Sequence, residues 1–218
     1  MRDIGRPTVF VVDDDPSVLK SLDRVLRSMG FTVETFDSPR VFLDQCDLRR
    51  PGCVLLDLAM PEMSGMDVQQ HLLDAGSLLT VVFLSGEGSI PVSVSAMKAG
   101  AVDFLVKPVN GDELAQTIAR ALERNARSRL ERYDKDDIVN RFSTLTAREK
   151  EVMHHLLCGK RNKEIAYELG IVEKTIKVHR ARILAKLRVK SLVSLFELAA
   201  RAGIQPIPDA QPDGDAPR

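Results

Sequence analysis

The sequence predicts two domains of different fold class, an α/β domain with a doubly wound, five-stranded parallel sheet and, after it, an all-α domain of four helices. Five short, mostly apolar runs alternate with helical patterns over about the first 125 residues. Such alternation is typical of consecutive βα units with right-handed crossovers. Four helical patterns follow from about residue 145, the first two of which end at glycines, and the charged stretch Arg120–Asp137 precedes them.

The five expected strands are short and of high β propensity. Most of them are nearly continuous apolar runs, which is typical of parallel strands that are buried on both faces of a sheet. In chain order, the expected strands are Thr8–Val12, Thr32–Phe36, Cys53–Leu56, Thr80–Leu84 and Asp103–Val106.

The segments between the strands carry helical signals. Pro16–Met29 begins with a proline that suits a first turn, repeats leucine and valine at helical spacing, and stops before Gly30. The charged stretch Arg120–Asp137 is interpreted as a solvated helix extension that spaces two domains, and a weak two-stranded coiled coil is the alternative. The other helices expected in this domain are Ser38–Gln45, Met66–Leu73, Pro91–Lys98 and Asp112 to about Arg132.

The helices of the second domain begin and end at recognisable signals. Thr146, with Glu149 three residues later, is a capping box, and Asn162 is the expected cap of the second helix. A tight turn after Gly170 leads into a strongly basic helix, which gives the helix-turn-helix pattern. The four helices are expected between Thr146 and Gly159, at Lys163–Leu169, at Lys174–Leu187 and at Ser191–Arg201.

The chain is neutral overall, but its charge is unevenly distributed. Basic and acidic side chains number 31 each. Residues 141–204 contain 14 Lys or Arg and six Asp or Glu, a formal charge of +8, while residues 1–140 contain 16 basic and 22 acidic side chains, a charge of −6. The acidic part is suited to concentrating cations, and the basic part is suited to neutralising phosphates.

Composition excludes several other classes of protein. Hydrophobic residues make up 44% of the chain, enough for packed cores, so a mostly disordered chain is excluded. No run of 18 apolar residues occurs, and the first residues are charged, which predicts a cytoplasmic protein with no membrane contact. Cys46, Cys53 and Cys158 show no CxxC spacing and are expected to be buried structural thiols.

Polar side chains that suit phosphate chemistry stand at the ends of the expected strands. Asp13 and Asp14 follow the first strand, Asp57 the third and Ser85 the fourth, while Lys107 follows the fifth. Ligands of an open parallel sheet lie beyond these carboxyl ends. Convergent carboxylates favour a hard divalent cation such as Mg²⁺, and Asp57 is the expected nucleophile toward a phosphoryl group. The ammonium of Lys107 and the hydroxyl of Ser85 can take phosphoryl oxygens.

The motifs VVDDDPSV, LLDLAMPEMSG and FLSGEGSIPVSVSAMKAGAVDFLVKP together resemble the receiver domain of two-component response regulators, over about residues 6–125. The resemblance implies a flavodoxin-like fold in which Asp57 accepts a phosphoryl group from a histidine kinase. It also implies a Mg²⁺ or Mn²⁺ site formed by Asp13, Asp14, Asp57 and the backbone carbonyl of Ala59.

The same resemblance implies three residues that respond to phosphorylation. Ser85, where the family frequently has Thr, is the switch hydroxyl, Phe104 is the aromatic switch, and Lys107 binds phosphate before a cis peptide at Pro108. A phosphate adds roughly −1.5 to −2 charges beside the carboxylates. Attraction of Ser85 and Lys107 to this phosphate would change the packing of the fourth helix and the fifth strand. That change would favour a homodimer. Val109, where relatives commonly have Phe, departs from the pattern.

From Leu145 to about Ile204, the chain resembles the LuxR-type helix-turn-helix of the NarL/FixJ response regulators, through LTAREKEV, NKEIAYELGI and KTIKVHRARILAKL. The resemblance makes Lys174–Leu187 a DNA recognition helix. Ala181 stands where NarL-like regulators can carry a base-reading Lys, so a sequence preference cannot be transferred. His179 suits either DNA contact or helix packing. The expected DNA-binding residues are Lys174, Thr175, Lys177, Val178, Arg180 and Arg182, among which Lys177 and Val178 are expected to face bases.

These observations predict a receiver domain at 1–125, a helical linker at 126–141, a LuxR-type helix-turn-helix domain at 142–204 and a flexible tail at 205–218. The predicted protein is a response regulator of the NarL/FixJ family that binds a double-stranded DNA operator as a phosphorylated homodimer. Its expected partners are a histidine kinase and RNA polymerase. Masking of the basic helix by the acidic domain before phosphorylation is a further hypothesis.

Two alternatives remain open from the sequence. One is a Mg²⁺-dependent phosphatase with Asp57 as the turnover nucleophile, although Ala59 stands where a haloacid-dehalogenase-type phosphatase would need a second Asp. The other is a constitutive DNA-binding protein whose receiver is a protein-docking module. In the favoured interpretation the protein is not an enzyme, since the receiver catalyses only its own phosphorylation and dephosphorylation.

Overall fold

The structure of the protein is a computed structural model, which describes residues 6–86 and 90–204. The chain divides into two compact units, of which the first ends at Leu130 and the second begins at Glu131. The segment predicted to be a flexible tail, 205–218, lies outside the described residues.

The described part of the first unit contains a sheet of five parallel strands in the order β2-β1-β3-β4-β5, which confirms the predicted fold class. In the register of this sheet, Val12 lies opposite Leu56, and Asp57 lies opposite Leu84. The carboxyl ends of β1, β3 and β4 are therefore side by side. The strands are β1 (Thr8–Val12), β2 (Thr32–Phe36), β3 (Gly52–Asp57), β4 (Thr80–Ser85) and β5 (Asp103–Val106).

Five helices follow the strands in the described part of this unit, and the first three begin at side-chain caps. The five helices are α1 (Pro16–Ser28), α2 (Pro39–Gln45), α3 (Gly65–Asp74), α4 (Ile90–Lys98) and α5 (Gly111–Ser143). Asp15, Ser38 and Ser64 accept hydrogen bonds from backbone N–H groups in the first turns of α1, α2 and α3. These donors have no partner inside the helix, so the caps fix where each helix begins.

Helix α5 is longer than the sequence pattern predicted. The expected helix ended near Arg132, whereas α5 has 33 residues and contains all of the predicted linker 126–141. Residues 130–137 are exposed, but Ile138 and Phe142 beyond them are buried. Burial of these two side chains holds the end of the helix across the charged stretch, because tertiary packing supplies most of the stability of a helix in a protein.

The sheet of the first unit separates two apolar cores. Val9 and Val11 of β1 belong to the core formed with α1 and α5, while Phe10 and Val12 belong to the core formed with α2, α3 and α4. Every residue of β1, β3 and β4 is buried. The nearly continuous apolar runs in the sequence are explained by this burial on both faces.

Asn125 ties helix α5 to the sheet from inside the first unit. Its side chain is 1% exposed. Its Oδ1 accepts a hydrogen bond from the backbone N–H of Gly52 at 3.0 Å, and its Nδ2 donates to the carbonyl of Leu78 at 2.5 Å. Gly52 is buried and Leu78 is partly buried. Leaving their backbone groups without these partners would cost free energy, which the Asn125 side chain avoids and an apolar side chain could not avoid.

The cysteines differ from one another in burial. Cys53 in β3 is fully buried, as predicted, but Cys46 and Cys158 are only partly buried, so the expectation of burial is wrong for those two. Burial raises the pKa of the Cys53 thiol to about 12 and that of the Cys46 thiol to about 11. Both thiols therefore stay protonated at neutral pH, which makes them poor nucleophiles.

The described part of the second unit is all-α, as predicted. Its helices are α6 (Ala147–Leu157), α7 (Asn162–Glu168), α8 (Glu173–Leu187) and α9 (Leu192–Arg201). Their apolar faces and the last turns of α5 enclose one core. Its buried members include Ile138, Phe142, Val152, Leu156, Ile165, Ile176, Ile183 and Leu195.

One of the two caps predicted in this unit is present and the other is wrong. Thr146 Oγ1 accepts from the N–H of Glu149 at 3.2 Å, and Glu149 Oε2 accepts from the N–H of Thr146 at 2.9 Å, which forms the predicted capping box. Asn162 is the first helical residue of α7 and not its cap. The N-cap is the preceding residue, Arg161, whose N–H donates to the side chain of Glu164 at 2.6 Å. The glutamate therefore caps the start of α7 in place of Asn162.

Candidate functional site

A lysine ammonium and two carboxylates meet at the carboxyl edge of the sheet. Asp13 follows β1, Asp57 ends β3 and Lys107 follows β5. Lys107 Nζ lies 2.6 Å from Oδ2 of Asp13 and 2.6 Å from Oδ1 of Asp57, and it donates to both. The fold therefore brings together three side chains that the sequence singled out.

The second oxygen of each carboxylate accepts a hydrogen bond from the backbone. The N–H of Asp15 donates to Oδ1 of Asp13 at 3.0 Å, and the N–H of Ala59 donates to Oδ2 of Asp57 at 2.8 Å. Asp13 and Asp57 are only 1% and 6% exposed. Burying a carboxylate is costly unless its charge is paired and hydrogen-bonded. The Lys107 contacts and the backbone donors together offset that cost.

The environment of Lys107 stabilises its charged form. Burial by itself would lower the pKa of the ammonium, but the hydrogen bonds and charges of Asp13 and Asp57 outweigh it and raise the pKa of Lys107 above its ordinary value. Lys107 is therefore a cation at neutral pH. The peptide bond between Lys107 and Pro108 is cis, as expected from the resemblance.

Ser85 and Phe104 lie on the neighbouring strands β4 and β5. Ser85 is 5% exposed, and its carbonyl accepts from the N–H of Lys107 at 2.7 Å. Phe104 is half-buried, and its ring centroid lies 6.5 Å from that of Phe83. The backbone of Lys107 is thus hydrogen-bonded to the end of β4, which carries the Ser85 hydroxyl.

Asp14 and Ala59 are the two members of the predicted metal set that lie at the surface. Both residues are exposed. Among residues 6–86 and 90–204, no group of three His, Cys, Asp or Glu side chains is arranged to hold a metal ion by itself. The carboxylates at this edge are therefore not a preassembled set of three metal ligands.

Gly65 approaches the backbone of Asp57 in a way that the sequence did not reveal. A Cβ atom at this position would lie 2.4 Å from the carbonyl oxygen of Asp57 and 3.0 Å from Cε1 of Phe83. The N–H of Gly65 donates to the carbonyl of Leu58 at 3.0 Å. Only the fold shows that a side chain here would collide with the end of the strand that carries Asp57.

Helix α8 buries one apolar face and presents most of its basic side chains to solvent. Ile176, Ile183 and Leu187 are buried. On the other faces, the predicted DNA-binding residues are exposed or half-exposed. Lys174, Lys177, Val178 and Arg182 are exposed, and Thr175 and Arg180 are half-exposed.

Lys177 and His179 of α8 have different environments. Lys177 is 64% exposed, and its Nζ lies 3.1 Å from Oε1 of Glu173 one turn earlier. Exposed pairs of this kind are weak, so Lys177 can leave Glu173 for another anion at little cost. His179 is half-buried, and its Nδ1 is buried with no hydrogen-bond partner in the described part of the chain, which favours a packing role for the ring.

Lys186 points into the second unit, in contrast to the other basic residues of α8. Its Nζ donates to Oε2 of Glu149 at 2.6 Å and to the carbonyl of Thr144 at 3.1 Å. Glu149 is 3% exposed. The hydrogen bond from Lys186, followed by that from the N–H of Thr146, lowers the pKa of Glu149 to about 2. One positive charge of the basic helix is therefore structural, which the sequence pattern did not show.

Family models match both parts of the chain. The response regulator receiver domain matches residues 9–119, and the bacterial regulatory proteins of the luxR family match residues 143–199. A receiver followed by a LuxR-type helix-turn-helix defines a response regulator of a two-component system that acts as a DNA-binding transcription regulator. Among the described residues, none of the helices has the length and hydropathy that crossing a membrane requires.

Relatives align over nearly the whole chain. The response regulator protein TodT of Pseudomonas putida is 40% identical over 193 residues, which cover 88% of this chain and 85% of that protein. The transcriptional regulatory protein FixJ of Rhizobium meliloti is 39% identical over 199 residues, covering 91% and 98%. The structure of the response regulator StyR is 45% identical with a TM-score of 0.83, covering 90% and 100%. The chain belongs to the NarL/FixJ family of response regulators.

Proposed function

We propose that Asp57 accepts a phosphoryl group from a histidine kinase and that this modification controls DNA binding by the second unit. The observation that carries the proposal is the contact of Lys107 Nζ with both Asp57 and Asp13 at 2.6 Å. A carboxylate beside a fixed cation is a suitable nucleophile for phosphorus, because the cation can stabilise the negative charge that develops on the phosphoryl oxygens.

A divalent cation such as Mg²⁺ or Mn²⁺ fits the oxygen donors of this edge. Asp13, Asp14 and Asp57 offer carboxylate oxygens, and Ala59 offers a backbone carbonyl. Each buried carboxylate accepts two hydrogen bonds, which leaves lone pairs for a cation. Mg²⁺ commonly binds through one or two carboxylates and keeps several waters, so it does not need three preassembled ligands. When bound, the cation would neutralise phosphoryl oxygens during transfer.

Phosphorylation at Asp57 would draw Ser85 and Lys107 toward the new acceptor oxygens. Because the N–H of Lys107 is hydrogen-bonded to the carbonyl of Ser85, displacement of either residue displaces the end of β5. Phe104 lies in the same strand and would change rotamer. The dimerisation surface that we propose includes α4 and β5. Its exposed apolar side chains are Ile90, Val94, Met97 and Val106. Pairing of this surface in a homodimer would remove apolar area from water.

The second unit would bind operator DNA through α8. The exposed residues of α8 that we expect to contact DNA are Lys174, Lys177, Val178 and Arg182, and the half-exposed ones are Thr175 and Arg180. The formal charge of +8 on residues 141–204 supplies phosphate neutralisation, which makes binding strongly dependent on salt. We further propose RNA polymerase as a partner at the promoter, the cytoplasm as the compartment, and no catalytic activity beyond self-phosphorylation and self-dephosphorylation.

The proposal is tested by incubating the full chain with phosphoramidate and Mg²⁺ and measuring intact mass and DNA binding. We expect the wild type to gain one hydroxylamine-labile phosphoryl group and to dimerise, whereas Asp57→Asn gains none. Asp74→Asn, which changes an exposed carboxylate at the end of α3, serves as the matched control and should behave as the wild type. Labelling of Asp57→Asn at the wild-type level would contradict Asp57 as phosphoacceptor. Equal operator affinity of Asp57→Asn and phosphorylated wild type would contradict control by phosphorylation.

A further inference from the structure

The outermost line of side chains on α8 is apolar for most of its length, although its flanks are basic. Lys174, Val178, Ala181 and Ala185 are spaced four, three and four residues apart, so they form one line on the helix surface, opposite the buried face. All four are exposed, and Val178 is 44% exposed. A helix face in water normally carries polar residues, so this exposed apolar line in a strongly basic module suits a partner that is both apolar and anionic.

The flanks of this line show which partner fits. Lys177 lies on one side of the line and Arg182 on the other, and both are exposed. The residues from 141 to 204 carry a formal charge of +8. The major groove of DNA combines an anionic backbone on both sides with base edges on its floor, and it admits an α-helix. The apolar line would then face the floor of the groove while the basic flanks face its walls.

We propose that Val178 and Ala181 select thymine, each by packing against the C5 methyl group of a thymine in the operator half-site. This inference rests on the proposed binding of DNA through α8. Thymine is the base that presents a methyl group in the major groove, and aliphatic side chains are suited to contact it. Val178 and Ala181 have no side-chain donor or acceptor. Opposite guanine, adenine or cytosine, they would remove water from a polar base edge without replacing its hydrogen bonds.

The size of Ala181 supports a close approach of the helix to the bases. A longer side chain on the outermost line would hold the helix away from the groove floor, whereas alanine adds one methyl group beyond the backbone. The valine one turn earlier, Val178, presents two methyl groups on the same line. Since Lys177 stands beside this pair, it is placed to contact guanine O6 or N7, or a phosphate, next to the selected thymines.

The first step of the test selects duplexes from a random-sequence DNA library with the full chain, after treatment with phosphoramidate and Mg²⁺. A recurrent half-site that contains thymine is expected. If no sequence is enriched, the proposed sequence-specific DNA binding fails as a whole. If the enriched half-site has no A·T pair, and therefore no thymine on either strand, sequence-specific binding stands but thymine selection by Val178 and Ala181 is refuted. The first outcome contradicts DNA binding through α8, and the second contradicts only the selection of thymine.

In the second step, each thymine of the selected half-site is replaced singly by dU, which keeps the base-pairing edge but lacks the C5 methyl group. We expect wild-type affinity to fall about fourfold at each of two positions, one for each side chain, from the loss of one buried methyl-sized group. Unchanged affinity at every thymine would refute the inference.

Substitutions then assign the methyl contacts to the two side chains. Val178→Ala should lose the penalty for dU at one position, and Ala181→Gly should lose it at the other. Val178→Ala improves helix propensity, so weaker folding cannot explain its result. Val139→Ala, which changes an exposed valine of α5, is the matched control and should keep both penalties. Full dU penalties in both α8 variants would overturn the assignment.

Discussion

The buried Glu149 is expected to be a principal determinant of the stability of the second unit. It closes the capping box of α6 through the N–H of Thr146 at 2.9 Å and pairs with Lys186 of α8 at 2.6 Å. Glu149→Ala removes both contacts. Loss of a helix cap costs about 1 kcal/mol. Loss of a partner by a fully buried charge costs about 3–5 kcal/mol, but the Lys186 side chain is 35% exposed and can regain water. We therefore expect Glu149→Ala to lower the free energy of unfolding by about 2–3 kcal/mol.

The contribution of Glu149 should depend on pH in a defined direction. The folded-state pKa is about 2, below the ordinary value of 4.5, so the unfolded state binds a proton more tightly than the folded state. The stabilisation is complete above pH 4.5 and is lost as the pH falls from 4.5 through about 2. Glu149→Gln, which keeps the shape and an acceptor oxygen, should therefore be less stable than the wild type at pH 7, and the difference should shrink below pH 4.

Hydrogen exchange measured by mass spectrometry on the full chain can follow the amides of α6 and α8 directly. Glu151→Gln is the matched control, because Glu151 is 52% exposed and pairs with Arg148 on the surface. That control should change the free energy by no more than about 0.5 kcal/mol. If Glu149→Gln exchanges as slowly as the wild type at pH 7, or if its deficit is the same at pH 3, the assignment of stability to this ion pair is incorrect.

Three further predictions follow from the contacts described. Gly65→Ala should slow phosphorylation of Asp57 and destabilise the first unit by about 1–3 kcal/mol, because the added Cβ would lie 2.4 Å from the Asp57 carbonyl oxygen. Phosphoramidate labelling and urea unfolding measure these effects, and wild-type behaviour would contradict the close approach. Asn125→Leu should cost about 2–3 kcal/mol in urea unfolding, since it leaves the buried N–H of Gly52 and the partly buried carbonyl of Leu78 without these partners; an unchanged midpoint would show that water replaces the side chain. Lys177→Ala should weaken operator binding by about 1–3 kcal/mol in titrations at fixed salt if Lys177 contacts a base, whereas the exposed Lys150→Ala should have a smaller effect; equal losses would remove Lys177 from the recognition residues.

The elements of the fold were predictable because their signals are local. Most strands of the sheet are nearly continuous apolar runs, and the cap at Thr146 needs only a glutamate three residues later. Where a local signal competed with another, the prediction was wrong. Asn162 has a good capping side chain, but the carboxylate of Glu164 reaches the N–H of Arg161, so the helix begins one residue earlier. Helix α5 extended further than its local pattern predicted because Ile138 and Phe142 are buried beyond the charged stretch.

The sequence by itself determined the order of the elements, the distribution of charge and the set of side chains at the strand ends, since these depend on spacing along the chain. The tertiary structure decided which of those side chains meet. Lys107 contacts Asp13 across 94 positions, and Lys186 turns away from the exposed face of α8 to pair with Glu149, 37 positions earlier. Such contacts depend on the register of strands and the rotation of helices, which are set by packing the whole core. Charge and spacing alone cannot distinguish a lysine available to a ligand from one that stabilises the fold.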